Sequence, residues 1–155
     1  WADITIRNSL IRDTWDHGSI AANPVTNIII EENTFLNIAT RSPTPIGIAI
    51  YINIAGNIGT TTIQRNIIGS VSETCGQIGI ELGTTPLRPS GTITIANNVV
   101  QNCRESGLED FGDGAVWKYN SVTTSGTAGT GNGIFVRNSA ANTQILYNQF
   151  WNNNN

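Results

Sequence analysis

One phrase recurs along this chain at uneven intervals: an alternating apolar strand runs into an asparagine and resumes at once with another apolar residue. Its clearest copy is Ile93-Thr94-Ile95-Ala96-Asn97-Asn98-Val99-Val100; others lie at 28–35, 61–68, 115–122 and 143–150, with a shortened one at 4–10. The asparagines that close it, Asn8, Asn33, Asn66, Asn98, Asn120 and Asn148, are 25, 33, 32, 22 and 28 residues apart. Helical repeats of fixed length do not vary this much. A solenoid with constant strands and unequal loops does.

Between copies falls a second phrase, a glycine followed by a short apolar strand: Gly47-Ile48-Ala49-Ile50, Gly79-Ile80-Glu81-Leu82, Gly107-Leu108-Glu109 and Gly133-Ile134-Phe135-Val136, more loosely Gly18-Ser19-Ile20. Apolar residues hold one parity in each strand, as in Ile28 with Ile30 or Ile80 with Leu82, and no 3.6-residue stripe persists. Asparagine suits the corner because it tolerates left-handed φ, and stacked amides can form a ladder. The segments 41–45, 84–90 and 123–132, rich in Pro, Gly, Ser and Thr, are expected as loops. Gly129-Thr130-Gly131-Asn132-Gly133 lacks the strand and helix that a phosphate cradle needs.

Composition narrows the rest. Charged residues are 12% of the chain, net charge is −3, and Met is absent. Isoleucine, asparagine, glycine and threonine favour strands and turns over helices. No basic stripe exists to meet nucleic acid, no apolar run reaches the ~20 residues of a membrane span, and no N-x-[ST] sequon occurs. The chain is expected to form one all-β domain over residues 1–155.

The phrases I-x-I-x-x-N-x-[apolar] and G-[IL]-x-[apolar], over residues 3–150, resemble the parallel β-helix repeats of the pectate-lyase superfamily. The resemblance implies a right-handed, single-stranded parallel β-helix of about five coils. It also implies that the Gly-Ile strand belongs to the sheet whose outer face carries a glycan cleft. No amphipathic capping helix is visible at Trp1-Ala2-Asp3 or after Phe150-Trp151. The expectation is therefore a segment of a longer solenoid, or a unit whose ends stack on copies of itself.

Glu81 and Glu109 each follow an aligned glycine by two residues, so they are expected in one outward column on adjacent coils, ~5 Å apart. Such a pair can serve as acid and nucleophile toward a glycoside, share a calcium ion, or simply be solvated. The same column is expected to carry Ala49 before them and Phe135 after. Arg137 and Asp110 lie nearby, with Asp113 beyond, offering a stacking face and charges for a uronate. His17, the sole histidine, precedes the first Gly-Ile copy and is a candidate base. Its setting Trp15-Asp16-His17-Gly18 departs from the D-P-H-D motif of the family's alginate epimerases. Asp16, His17 and Ser19 are too close along the chain to converge as a triad, and one His with two separated Cys gives no zinc set.

Cys75 and Cys103 each precede an aligned glycine by four residues. Adjacent coils should bring them together, as a disulfide or as stacked thiols. A disulfide would fit an extracellular or cell-surface setting. Two functions are compatible with these features: a carbohydrate-binding or carbohydrate-processing module, of lyase, epimerase or hydrolase type, acting on polysaccharide; or a rigid structural segment of a surface layer, filament, adhesin or viral fibre.

Overall fold

A computed structural model describes residues 2–22, 25–40, 47–53, 56–89, 92–112, 114–123, 125, 131–137 and 142–153. Those residues form strands, turns and bends, with no helix among them. Three parallel sheets run the length of a β-solenoid. Sheet I holds Ala2–Arg7, Val25–Glu31, Thr61–Gln64, Ile93–Ala96, Ala115–Lys118 and Gln144–Leu146. Sheet II holds Leu10–Arg12, Thr34–Leu36, Ile67–Ile68, Val99–Gln101, Ser121–Thr123 and Gln149–Trp151. Sheet III holds Ser19–Ala22, Ile48–Asn53, Gly76–Pro89, Cys103–Gly112 and Asn132–Val136, with the short Gly56–Ile58 paired to the far end of Gly76–Pro89. Each coil thus takes one strand from each sheet in turn.

Period-two patterning becomes columns inside the coil. In sheet I, Ile6, Ile30, Ile63, Ile95, Trp117 and Ile145 stand in register. Sheet II contributes Ile11, Phe35, Ile68, Val100, Val122 and Phe150. Sheet III adds Ile50, Ile80, Leu108 and Ile134. The middle members of all three are fully buried in one core. Each such isoleucine contributes roughly 1.5–3 kcal/mol of apolar burial. Stacking like on like lets β-branched side chains from successive coils interdigitate.

The asparagine corner divides two tasks between neighbouring residues. Left-handed φ is taken by Asn8, Glu32, Arg65, Asn97, Tyr119 and Tyr147, all between 51° and 58°. The next residue carries the ladder: Asn33, Asn66, Asn98 and Asn120 are each at most 1% exposed. Each donates Nδ2 to the Oδ1 of the next rung at 2.9–3.1 Å. Asn8 is therefore a turn residue and not a rung, correcting its place in the series. Ser9 occupies the rung position, its backbone N–H donating to Asn33 Oδ1 at 3.0 Å.

Glycine recurs within the strands of sheet III for a steric reason. A Cβ on Gly79, Gly107 or Gly133 would stand 2.5, 2.1 or 2.6 Å from Val100 Cγ1, Val122 Cγ1 or Phe150 Cδ1, the inward residue of the sheet II strand that comes next along the chain. Only hydrogen fits where the two sheets converge. In the register of Ile48 with Ile78 and Ile50 with Ile80, the partner of Gly79 is Ala49, not Gly47. The alignment of Gly47 with Gly79 is thus two residues out.

The segment 84–90 was predicted as loop, but residues 84–89 continue the Gly76–Pro89 strand, and Leu87 to Pro89 pair with Gly56–Ile58. Residues 41–45 and most of 123–132 lie outside the described residues. Cys75 and Cys103 are joined in a disulfide with their Cα atoms 4.9 Å apart, both buried in the core.

Candidate functional site

Sheet III sets Glu81 directly beside Glu109 on adjacent strands, about 4.8 Å apart at the backbone. Leu108 and Asp110 flank Glu109 and point inward, so alternation sends both glutamates to the outer face. There they are nearly dry, 5% and 3% exposed. Glu109 Oε1 accepts from Ser106 Oγ at 3.1 Å, and its Oε2 lies 3.2 Å from Arg137 Nη2. No hydrogen bond joins the Glu81 side chain to another described residue. Burial, then the neighbouring Glu109 charge, push the Glu81 carboxyl up to about 7, against a smaller downward pull from Arg137. Two like residues thus meet different surroundings: Glu81 retains its proton toward neutrality, while Glu109 faces a cation.

Arg137 is the hinge of this group. Its guanidinium lies 4.4 Å from the Phe135 ring centroid and 4.7 Å from that of Phe111, within cation–π range. Its backbone N–H donates to Asp110 O at 2.8 Å, which anchors it one coil above. Phe135 stands in register with Glu109, as the column predicted. On the other side the residue in register with Glu81 is Tyr51. Ala49, expected there, is displaced by the two-residue slip to stand beside Gly79, where it is fully buried.

His17 stacks on Tyr51, with ring centroids 5.4 Å apart, and its Nδ1 lies 3.0 Å from Asp16 Oδ2. It therefore reaches the outer column, with Tyr51 between it and the glutamates in coil order. Asp110 is placed differently from the rest. Its Oδ2 accepts from Trp117 Nε1 at 2.9 Å and Thr143 Oγ1 at 2.7 Å, and it is fully buried on the inner side of the strand. Asp113 lies outside the described residues.

Calcium does not suit this pair. A calcium ion takes 6–8 oxygen ligands. Here one carboxyl favours its proton and the other is engaged by Ser106 and Arg137, whose guanidinium supplies the positive charge. Among the described residues no three His, Cys, Asp or Glu gather as a metal set.

Tyr51, Ser106 and Phe111 join the site without having been singled out from sequence. Phe111 follows Glu109 by two residues, so parity alone could have found it. Tyr51 was hidden by the slip. Ser106 could not be read by parity, because the chain breaks its alternation at Gly107. No family model, curated protein or solved structure matches this chain.

The raised Glu81 carboxyl predicts a pH effect on stability. A carboxyl whose folded pKa lies above its unfolded value of 4.5 stabilises the fold fully below about 4.5 and loses that contribution as pH rises through about 7. Glu81→Gln, neutral throughout, should match the parent near the lower value and exceed it by about 2–3 kcal/mol above pH ~8. Urea unfolding across this window checks it; a constant difference between the two proteins refutes it.

Proposed function

We propose that this chain is a carbohydrate-processing β-solenoid module, similar to the pectate-lyase superfamily, acting outside the cell on an acidic polysaccharide. One observation carries the reading: two carboxyls on adjacent rungs, one holding its proton to about 7 and the other facing Arg137. This is the division of labour that acid-assisted glycoside cleavage requires. Glu81 donates its proton to the leaving glycosidic oxygen as the bond to the anomeric carbon breaks. Glu109 adds to that carbon, and water, deprotonated by Glu81, then releases the sugar. Arg137 and Phe135 supply a charge for a uronate and a ring edge for its sugar face. The disulfide supports an oxidising, extracellular setting.

A second reading, a rigid scaffold without turnover, is favoured by the low exposure of both glutamates and by the closed contact of Arg137 with Glu109 and two phenylalanines. In that reading the outer column is a buried polar seam. The parent, Glu81→Gln and Glu109→Gln proteins, incubated with acidic and neutral polysaccharides, separate the two. Processing predicts product from the parent and a loss of at least ~100-fold in both variants with folding retained. Equal turnover in all three, or none in the parent on any substrate, rejects it.

A further inference from the structure

Sheet I carries a concavity on its outer face, at the opposite end of the coil stack from Arg137. It has a volume of about 310 Å³ and is lined by Asp3, Thr5, Asn27, Ile29, Thr60 and Thr62, with Ile4 beside them. Thr5, Ile29 and Thr62 are register partners on three successive strands, so the apolar Ile29 lies between two hydroxyls at rung spacing. The hydroxyls of Thr5, Thr60 and Thr62 make no hydrogen bond to another described residue. Asn27 builds the wall: its Nδ2 donates to Asp3 Oδ1 at 2.9 Å, and its Oδ1 accepts the Thr60 N–H at 3.0 Å. That leaves one charged group, a carboxylate, and no cation among the lining residues.

We propose that this concavity is a subsite for a neutral sugar residue, distinct from the glutamate face and independent of whether that face is catalytic. Volumes of this order hold small ligands, and an apolar floor ringed by groups that both donate and accept suits one face and several hydroxyls of a pyranose. Asp3 accepts from a sugar hydroxyl and repels a uronate or phosphate, so the ligand class is neutral. The site would hold chain along one flank of the solenoid while leaving sheet III untouched.

The test titrates isotopically labelled protein with cellohexaose, mannohexaose and xylohexaose, with trigalacturonate as the anionic control, and follows backbone amide shifts. A neutral oligosaccharide should move Thr5, Asn27, Ile29 and Thr62, and trigalacturonate should not. Thr5→Val and Thr62→Val keep shape and lose a hydroxyl; each should weaken binding about 2- to 10-fold. Ile29→Lys should abolish it. All three positions face outward, and unchanged spectra elsewhere report an intact fold. No shift with any neutral probe, shifts confined to Tyr51, Glu81 and Phe135, or parent affinity retained in both valine variants overturns the proposal.

Discussion

Asn66→Ala is expected to lower the free energy of unfolding by about 3–5 kcal/mol, close to the whole reserve of a marginal domain. The Asn66 amide is saturated. Its Nδ2 donates to Ile30 O at 2.9 Å and Asn98 Oδ1 at 3.0 Å, and its Oδ1 accepts from Asn33 N at 3.0 Å and Asn33 Nδ2 at 3.1 Å. Alanine removes all four bonds from a site 1% exposed, where water cannot replace them. Each buried donor or acceptor left alone costs about 1–3 kcal/mol. Asn8→Ala is the control. Asn8 shares the corner and a φ of 51° but is exposed and lies off the ladder, so the loss there is the ~1 kcal/mol of placing alanine in the left-handed region. Urea denaturation of both variants decides the matter. A loss at Asn66 no larger than that at Asn8 would mean that the turn, and not the amide stack, holds the corner.

The second large effect is at the disulfide. Cys75 and Cys103 close a loop of 28 residues, for which the chain-entropy relation gives about 3–4 kcal/mol. Reduction should lower the urea midpoint accordingly, and the Cys75→Ala, Cys103→Ala double variant should be at least as unstable, since it also empties two fully buried side-chain positions. The bridge ties the strand that carries Glu81 to the one that carries Glu109, just before the glycines at which sheet III meets sheet II. Reduction should therefore speed amide exchange at Gly76, Ile78 and Ser106 before it does so at Ile63 or Ile95. Uniform loss of protection along the chain would show that the bridge acts on the unfolded ensemble alone.

How far the residues could be read in advance depended on what the alternation of strands conceals. A step of two leaves every side chain on its own face. Gly47-Ile48-Ala49-Ile50 could thus be matched to Gly79-Ile80-Glu81-Leu82 with the correct inside and outside and the wrong partner. Only the hydrogen-bonded register put Tyr51 beside Glu81 and sent His17 to stack on it. Asp110 shows the complementary case. It was expected among the charges outside, but its strand runs on to Gly112, and parity carries it inward to Trp117. Asn8 and Ser9 differ for a third reason: both residues of the corner are polar, and which one adopts left-handed φ is settled by where the next coil offers an amide.

By itself the sequence determined the solenoid, because a period of two repeated between asparagine corners can bury its apolar face only by stacking coil on coil. It determined equally that Glu81 and Glu109 share a face and that the two cysteines belong to neighbouring coils. Tertiary structure alone decided that the two carboxyls differ. That difference arises from dehydration and from a guanidinium delivered one coil later, and both depend on distances of a few ångströms that no spacing along the chain specifies.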